Sequence, residues 1–255
     1  MPAERKMKNR KKITALIFVF FLLTHRISAN PIPGSPALPS PVSASSIQSE
    51  CVQVPQAAKA FKDYRKGIKP GPRSAEAYLG RGKFFFQKKK YKQAVEEFNQ
   101  AILFSPEAPR AYYHRGNAFY YLEKYEAAIH DYRRSLNLNP NDACVRNNLG
   151  LAYHAAGDLE QALTQFNQAV AISPAFAKAY GNRAWLSVDL GKIEPALQDY
   201  EKAISLDPGV YDFYLGRARL YCKIGKYGKA AKDLSQAAAI RKKILTVITD
   251  FISAY

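Results

Sequence analysis

The sequence predicts an all-α protein: an α-solenoid of about five helix-turn-helix units, preceded by a half-repeat and closed by a C-terminal capping helix. Three observations carry this. Prolines stand at 72, 106, 140, 174 and 208, each 34 residues from the last, and a fixed period of that size signals stacked repeats. At constant offsets before the last four prolines come a small residue (Gly82, Gly116, Gly150, Ala184), an alanine (Ala94, Ala128, Ala162, Ala196) and an aromatic (Phe98, Tyr132, Phe166, Tyr200). Within one unit, Tyr112, Gly116 and Phe119 fall at i, i+4 and i+7, and Ala128, Tyr132 and Ser135 repeat that spacing. Each set therefore lines one face of a helix.

The elements follow in chain order. Residues 1–12 are basic, and Ile13 to Leu23 is an uncharged apolar run of eleven, too short for a comfortable bilayer span of about 20 residues. With small residues at Ser28 and Ala29, residues 1–29 read as a secretory signal peptide, or else as an uncleaved membrane anchor. Residues 30–55 carry six prolines among serines and read as an extended, disordered linker. Residues 56–74 form a degenerate half-repeat cap, since Ala60, Tyr64 and Pro72 align with Ala94, Phe98 and Pro106. Whole repeats occupy 75–244, as 75–108, 109–142, 143–176, 177–210 and 211–244. In each, proline stops the second helix, because its ring disfavours helical geometry in the preceding residue and it has no N–H to donate. Gly157, Gly191 and Gly225 stand where a first helix must end in a left-handed turn. Lys242 replaces the last proline, which leaves the final helix free to run on. Residues 245–255 continue a helical apolar pattern and are expected to cap the last repeat.

Most aromatics are thereby assigned to packing, Tyr112, Phe119, Tyr125 and Tyr132 among them. Small partners such as Gly116 let backbones approach, and overfilling such a site costs about 1–3 kcal/mol.

Leu149 to Tyr153 (LGLAY), Ala162 to Phe166 (ALTQF) and Pro174 give a pattern that resembles the tetratricopeptide repeat (TPR), and the resemblance extends over most of residues 56–255. It implies a right-handed superhelix whose concave groove is lined by five positions of each first helix. On this sequence four of those positions are Tyr113, Asn117, Tyr120 and Tyr121 in the second repeat; all five are Cys144, Asn147, Leu151, His154 and Ala155 in the third, and Lys178, Gly181, Trp185, Val188 and Asp189 in the fourth. Tyrosine and tryptophan dominate binding hot spots, and Asn117, Asn147 and Asn148 could hold a peptide backbone. Some family members clamp the acidic tails of heat-shock chaperones with two lysines, two asparagines and an arginine. Here Asn117, Asn148 and Lys178 match, but Tyr113 and Asn182 occupy the other two places, which argues against such tails.

Net charge is +17, and its location narrows its meaning. Residues 1–29 hold +6 and residues 59–92 hold +10. Within the latter, Lys83, Lys88, Lys89, Lys90 and Lys92 form a basic patch, suited to an anionic membrane surface or another polyanion. Nucleic acid is disfavoured, because the groove aromatics lie elsewhere along the chain. Enzyme signatures are missing: Gly80-Arg81-Gly82-Lys83 lacks the hydroxyl residue of a phosphate loop, and the histidines have no ligand partners at metal spacing. Cys51, Cys144 and Cys222 are odd in number and contain no CxxC pair. No cofactor is expected. The sequence thus points to a non-catalytic scaffold for a protein or peptide partner, exported or membrane-anchored with its repeats outside the cytoplasm. Competing readings are a surface adaptor acting through residues 59–92, or an auxiliary subunit of an enzyme complex.

Overall fold

The computed structural model describes residues 74–253, with side chains to Lys242. The signal or anchor segment, the linker, nearly all of the half-repeat and the packing of the C-terminal cap lie outside the described residues. Ten helices are described: α1 (Ala75–Gln87), α2 (Tyr91–Phe104), α3 (Pro109–Tyr121), α4 (Tyr125–Leu138), α5 (Ala143–Ala155), α6 (Leu159–Ile172), α7 (Ala177–Asp189), α8 (Ile193–Leu206), α9 (Tyr211–Lys223) and α10 (Tyr227–Ser253). Each odd-numbered helix packs on the next to make one repeat, and each repeat packs on its neighbours. The chain is the helical solenoid that its period predicts.

Where the helices stop follows from single residues. Helices α2, α4, α6 and α8 each end two residues before Pro106, Pro140, Pro174 or Pro208, as proline's bias on its predecessor requires. With Lys242 in place of a fifth proline, α10 continues unbroken to Ser253, so residues 245–253 extend the last repeat's second helix instead of starting a new one. At the N-terminal ends, Asp142 Oδ1 accepts the amides of Cys144 and Val145 at 3.0 Å, and Asp158 Oδ1 accepts that of Gln161 at 3.0 Å.

The core repeats one contact. Phe98, Tyr132 and Phe166 are wholly or almost wholly buried, each against the small residue of the first helix in its own repeat. A Cβ on Gly150 would lie 2.7 Å from the Phe166 ring, closer than real side chains approach, which is why this place stays small. Of the aromatics assigned to packing, Tyr112 and Tyr132 are buried, Phe119 packs partly buried against the second repeat's core, and Tyr125 is half-buried.

A polar contact repeats alongside the apolar one, and the apolar periodicity gave no sign of it. In four repeats an arginine of the first helix forks onto a carboxylate of the second: Arg81 with Glu97, Arg115 with Asp131, Arg183 with Asp199 and Arg217 with Asp233. The last three pairs are bidentate, with N–H to carboxylate distances of 2.7–2.8 Å. Each arginine also lies over the ring of a tyrosine three residues earlier: Tyr78, Tyr112, Tyr180 or Tyr214. Two of them reach back one repeat, Arg115 donating to Asn99 Oδ1 at 2.8 Å and Arg183 to Asn167 Oδ1 at 2.9 Å. Planar forks of this kind fix geometry as well as energy.

Candidate functional site: the first-helix face

The residues assigned to the groove come from α3, α5 and α7, and the structure sorts them by depth. Tyr113, Asn117, Asn147, Asn148, Leu151 and Lys178 are at least nine-tenths hidden. Tyr120, Tyr121, His154 and Trp185 are half-buried.

The hidden asparagines are bonded to one another across three repeats. Asn182 Nδ2 donates to Asn147 Oδ1 at 2.8 Å, Asn147 Nδ2 to Asn148 Oδ1 at 3.2 Å, and Asn148 Nδ2 to Asn117 Oδ1 at 3.0 Å. Asn117 Oδ1 also accepts from the Tyr132 hydroxyl at 2.7 Å, and the Tyr113 hydroxyl accepts from Asn148 at 3.3 Å. Buried amides must be paired or cost about 1–3 kcal/mol each, and here they pair with each other. These asparagines therefore form the floor that ties α3, α5 and α7 together. Asn182, which marks a departure from the chaperone clamp, is one end of that chain.

The same three helices, α3, α5 and α7, also carry the half-buried aromatics, in two groups. Tyr121 stacks on Tyr91 with centroids 4.9 Å apart, meets Phe86 edge-on at 5.4 Å, and adjoins Tyr120, which in turn meets Tyr125 edge-on at 5.6 Å. Burial pushes the Tyr120 hydroxyl up to about 12 and raises that of Tyr121 further, so both are neutral donors at any physiological pH. In the second group the His154 and Trp185 rings lie 3.9 Å apart, and His154 Nε2 meets Asp189 Oδ2 at 2.8 Å. This joins the first helices of the third and fourth repeats.

Within the basic patch, Lys88, Lys89, Lys90 and Lys92 are exposed in and beside the α1–α2 turn. Lys83 is separate from them: it is half-buried in α1, and burial, followed by repulsion from Arg110, lowers its pKa. Among the described residues no group of three His, Cys, Asp or Glu side chains gathers as a metal site would need, and no helix is long and apolar enough to cross a membrane.

Models of the TPR repeat match residues 82–122 and 116–157, and further tetratricopeptide-repeat models match 142–208 and 199–232. Together they run over more than half of the chain. The protein belongs to the tetratricopeptide-repeat family. A search of curated protein sequences gives no match. Among solved structures, this TPR chain is similar to MamA (TM-score 0.57, 21% identity, covering 65% of this chain and 96% of that one). It is similar also to the Pseudomonas aeruginosa protein pilF (TM-score 0.61, 22% identity, covering 65% and 75%). A third is YrrB, described as a TPR protein with an unusual peptide-binding site (TM-score 0.51, 18% identity, covering 76% and 96%). At these identities the likeness shows a shared fold.

Proposed function

We propose that this TPR protein is a non-catalytic scaffold that holds an extended peptide or a partner helix on its first-helix face, outside the cytoplasm or at a membrane. The observation that carries this reading is the chain of buried, mutually bonded asparagines on the same first helices that carry half-buried aromatics. Because the floor is already ordered, a ligand need not pay for organising it, and Tyr120, Tyr121 and Trp185 offer flat, amphipathic anchors at its edge. The peptide-binding site named for YrrB is consistent with such use of the fold. Peptides selected from a displayed library against the full chain should lose at least tenfold in affinity on the combined Tyr120→Ala, Tyr121→Ala and Trp185→Ala change, with helical circular dichroism retained. Unchanged affinity would exclude this face.

The four exposed lysines at the α1–α2 turn favour a second role, contact with an anionic membrane surface. Its signature is salt: vesicle binding should collapse as ionic strength rises, while peptide binding persists. The location is tested by sequencing the N-terminus of the mature protein in a secretion-competent host. A new terminus between Asn30 and Ser45 means export, an intact Met1 in the membrane fraction means an anchor, and an intact Met1 in the cytosol would refute both.

A further inference from the structure

The third repeat lacks the arginine fork found in the other four. Where they carry tyrosine, arginine and a carboxylate, it carries Arg146, Leu149 and Gln165. The change is compounded at the junction with the second repeat: Arg133 occupies the place that Asn99 and Asn167 hold at the two junctions where an asparagine accepts from the fork. One neutralised arginine has thus become two arginines without the carboxylate.

The structure shows what this leaves behind. A cleft of about 770 Å³ opens between α4, α5 and α6, lined among others by Arg133, Arg146, Leu149, Tyr153, Asp158 and Gln165. Arg146 is held at its far end, donating to Gln168 Oε1 and, at 2.9 Å, to the Pro140 carbonyl. Its Nε and the Gln165 Oε1 are the two buried side-chain polar atoms without a hydrogen-bond partner among the described residues, and both residues line this one cleft. A buried donor and a buried acceptor left unpaired are costly, and each calls for a partner from outside the described residues, an ordered water or a ligand. Asp158, the one carboxylate among the lining residues, is engaged in capping α6. None of the cleft's lining residues is a groove position, so this site is distinct from the face proposed above.

We propose that this cleft binds a carboxylate-bearing peptide segment. Guanidinium groups match carboxylate geometry. An acidic residue in a peptide brings both its carboxylate, for Arg133 and Arg146, and backbone N–H donors, for Gln165 Oε1. A bare inorganic anion brings chiefly acceptors and would leave the glutamine unmet. The ligand is therefore an acidic partner segment, gripped at the centre of the solenoid on a surface the groove does not use.

The test titrates the full chain with an N-acetylated, C-amidated triglutamate peptide, with its triglutamine counterpart and with inorganic phosphate, following the Arg146 Nε–H resonance so that the basic turn does not contribute. Triglutamate should shift that resonance saturably and triglutamine should not. The variant R146Y/L149R/Q165D, which gives the third repeat the fork of its neighbours and is expected to fold at least as stably, lacks that reporter and is followed through the backbone amide resonances of α5 and α6; it should weaken binding tenfold or more. The milder Q165D, placing a carboxylate beside Arg146, should weaken it in the same direction. Removing Tyr120, Tyr121 and Trp185 should leave it unchanged, which separates failure of this site from failure of the groove. Equal binding by the restored-fork variant, absence of a shift with triglutamate, or displacement by phosphate at concentrations comparable to the peptide would each overturn the proposal.

Discussion

Arg115 and Asp131 illustrate what one residue pair contributes. Asp131 is almost fully buried and accepts two hydrogen bonds from Arg115, so Arg115→Leu strands a carboxylate away from water. Breaking such a pair typically costs about 3–5 kcal/mol, while replacing both partners is often near neutral. The third repeat already uses Leu149 and Gln165 at the equivalent places. We therefore expect R115L to lower urea-denaturation stability by about 3 kcal/mol and R115L/D131Q to recover most of that; equal losses would show that the fork adds nothing beyond its parts. His114 sets a pH dependence. It packs against Phe98 and Tyr113, and burial, followed by repulsion from Lys83 and Arg110, pushes its pKa down to about 3 from 6.5. Between those values the unfolded chain takes up a proton that the folded chain refuses. This contribution is thus complete above pH 6.5 and declines as pH falls towards 3, by about 1.4 kcal/mol per unit at most. Relative to wild type, His114→Phe should flatten the fall in stability below pH 6.5, measured by denaturation midpoints; parallel curves would refute the assignment.

At the scale of the element, the turns between paired helices all use one backbone state, with φ of 58° to 88° at Lys89, Glu123, Gly157, Gly191 and Gly225. Only three of the five carry glycine, and those three are the ones the sequence revealed. Lys89 and Glu123 occupy the same left-handed state, which is costly for a residue with a Cβ. Replacing either by glycine should stabilise the fold by about 0.5–1 kcal/mol, net of the greater freedom glycine gives the unfolded chain, readable as a higher Tm. No change would mean that their side chains offset the strain. The helices themselves were legible because proline, glycine and aromatic spacing act locally. The groove's depth was not, because whether Asn147 or Lys178 faces solvent depends on how far the next repeat covers it. The forks escaped notice for a simpler reason. Tyr and Arg recur at the 34-residue period in four of the five repeats, each time with an acidic residue 16 positions after the arginine, but apolar periodicity carries no information about charged partners so spaced. Aligning the repeats on those columns would have exposed both the fork and its loss in the third.

Among the described residues, each repeat packs mainly on its neighbours, so stability is distributed along one dimension. The asparagine chain from Asn117 to Asn182 links the second, third and fourth repeats and adds coupling where the ends have none of it. Native-state hydrogen exchange should accordingly be slowest in α3 to α7 and faster in α1, α2, α9 and α10; uniform protection would show a single cooperative unit instead. An array of near-copies carries a hazard, since a repeat can close on the wrong copy, within the chain or in another molecule. Arg133 bears on this. If the third repeat were skipped and the fourth stacked directly on the second, Arg133 would stand where Asn167 now accepts from Arg183, setting two guanidinium groups against each other. The irregular junction thus gives a row of otherwise interchangeable units a marked middle, and the chain a reason to assemble in only one order.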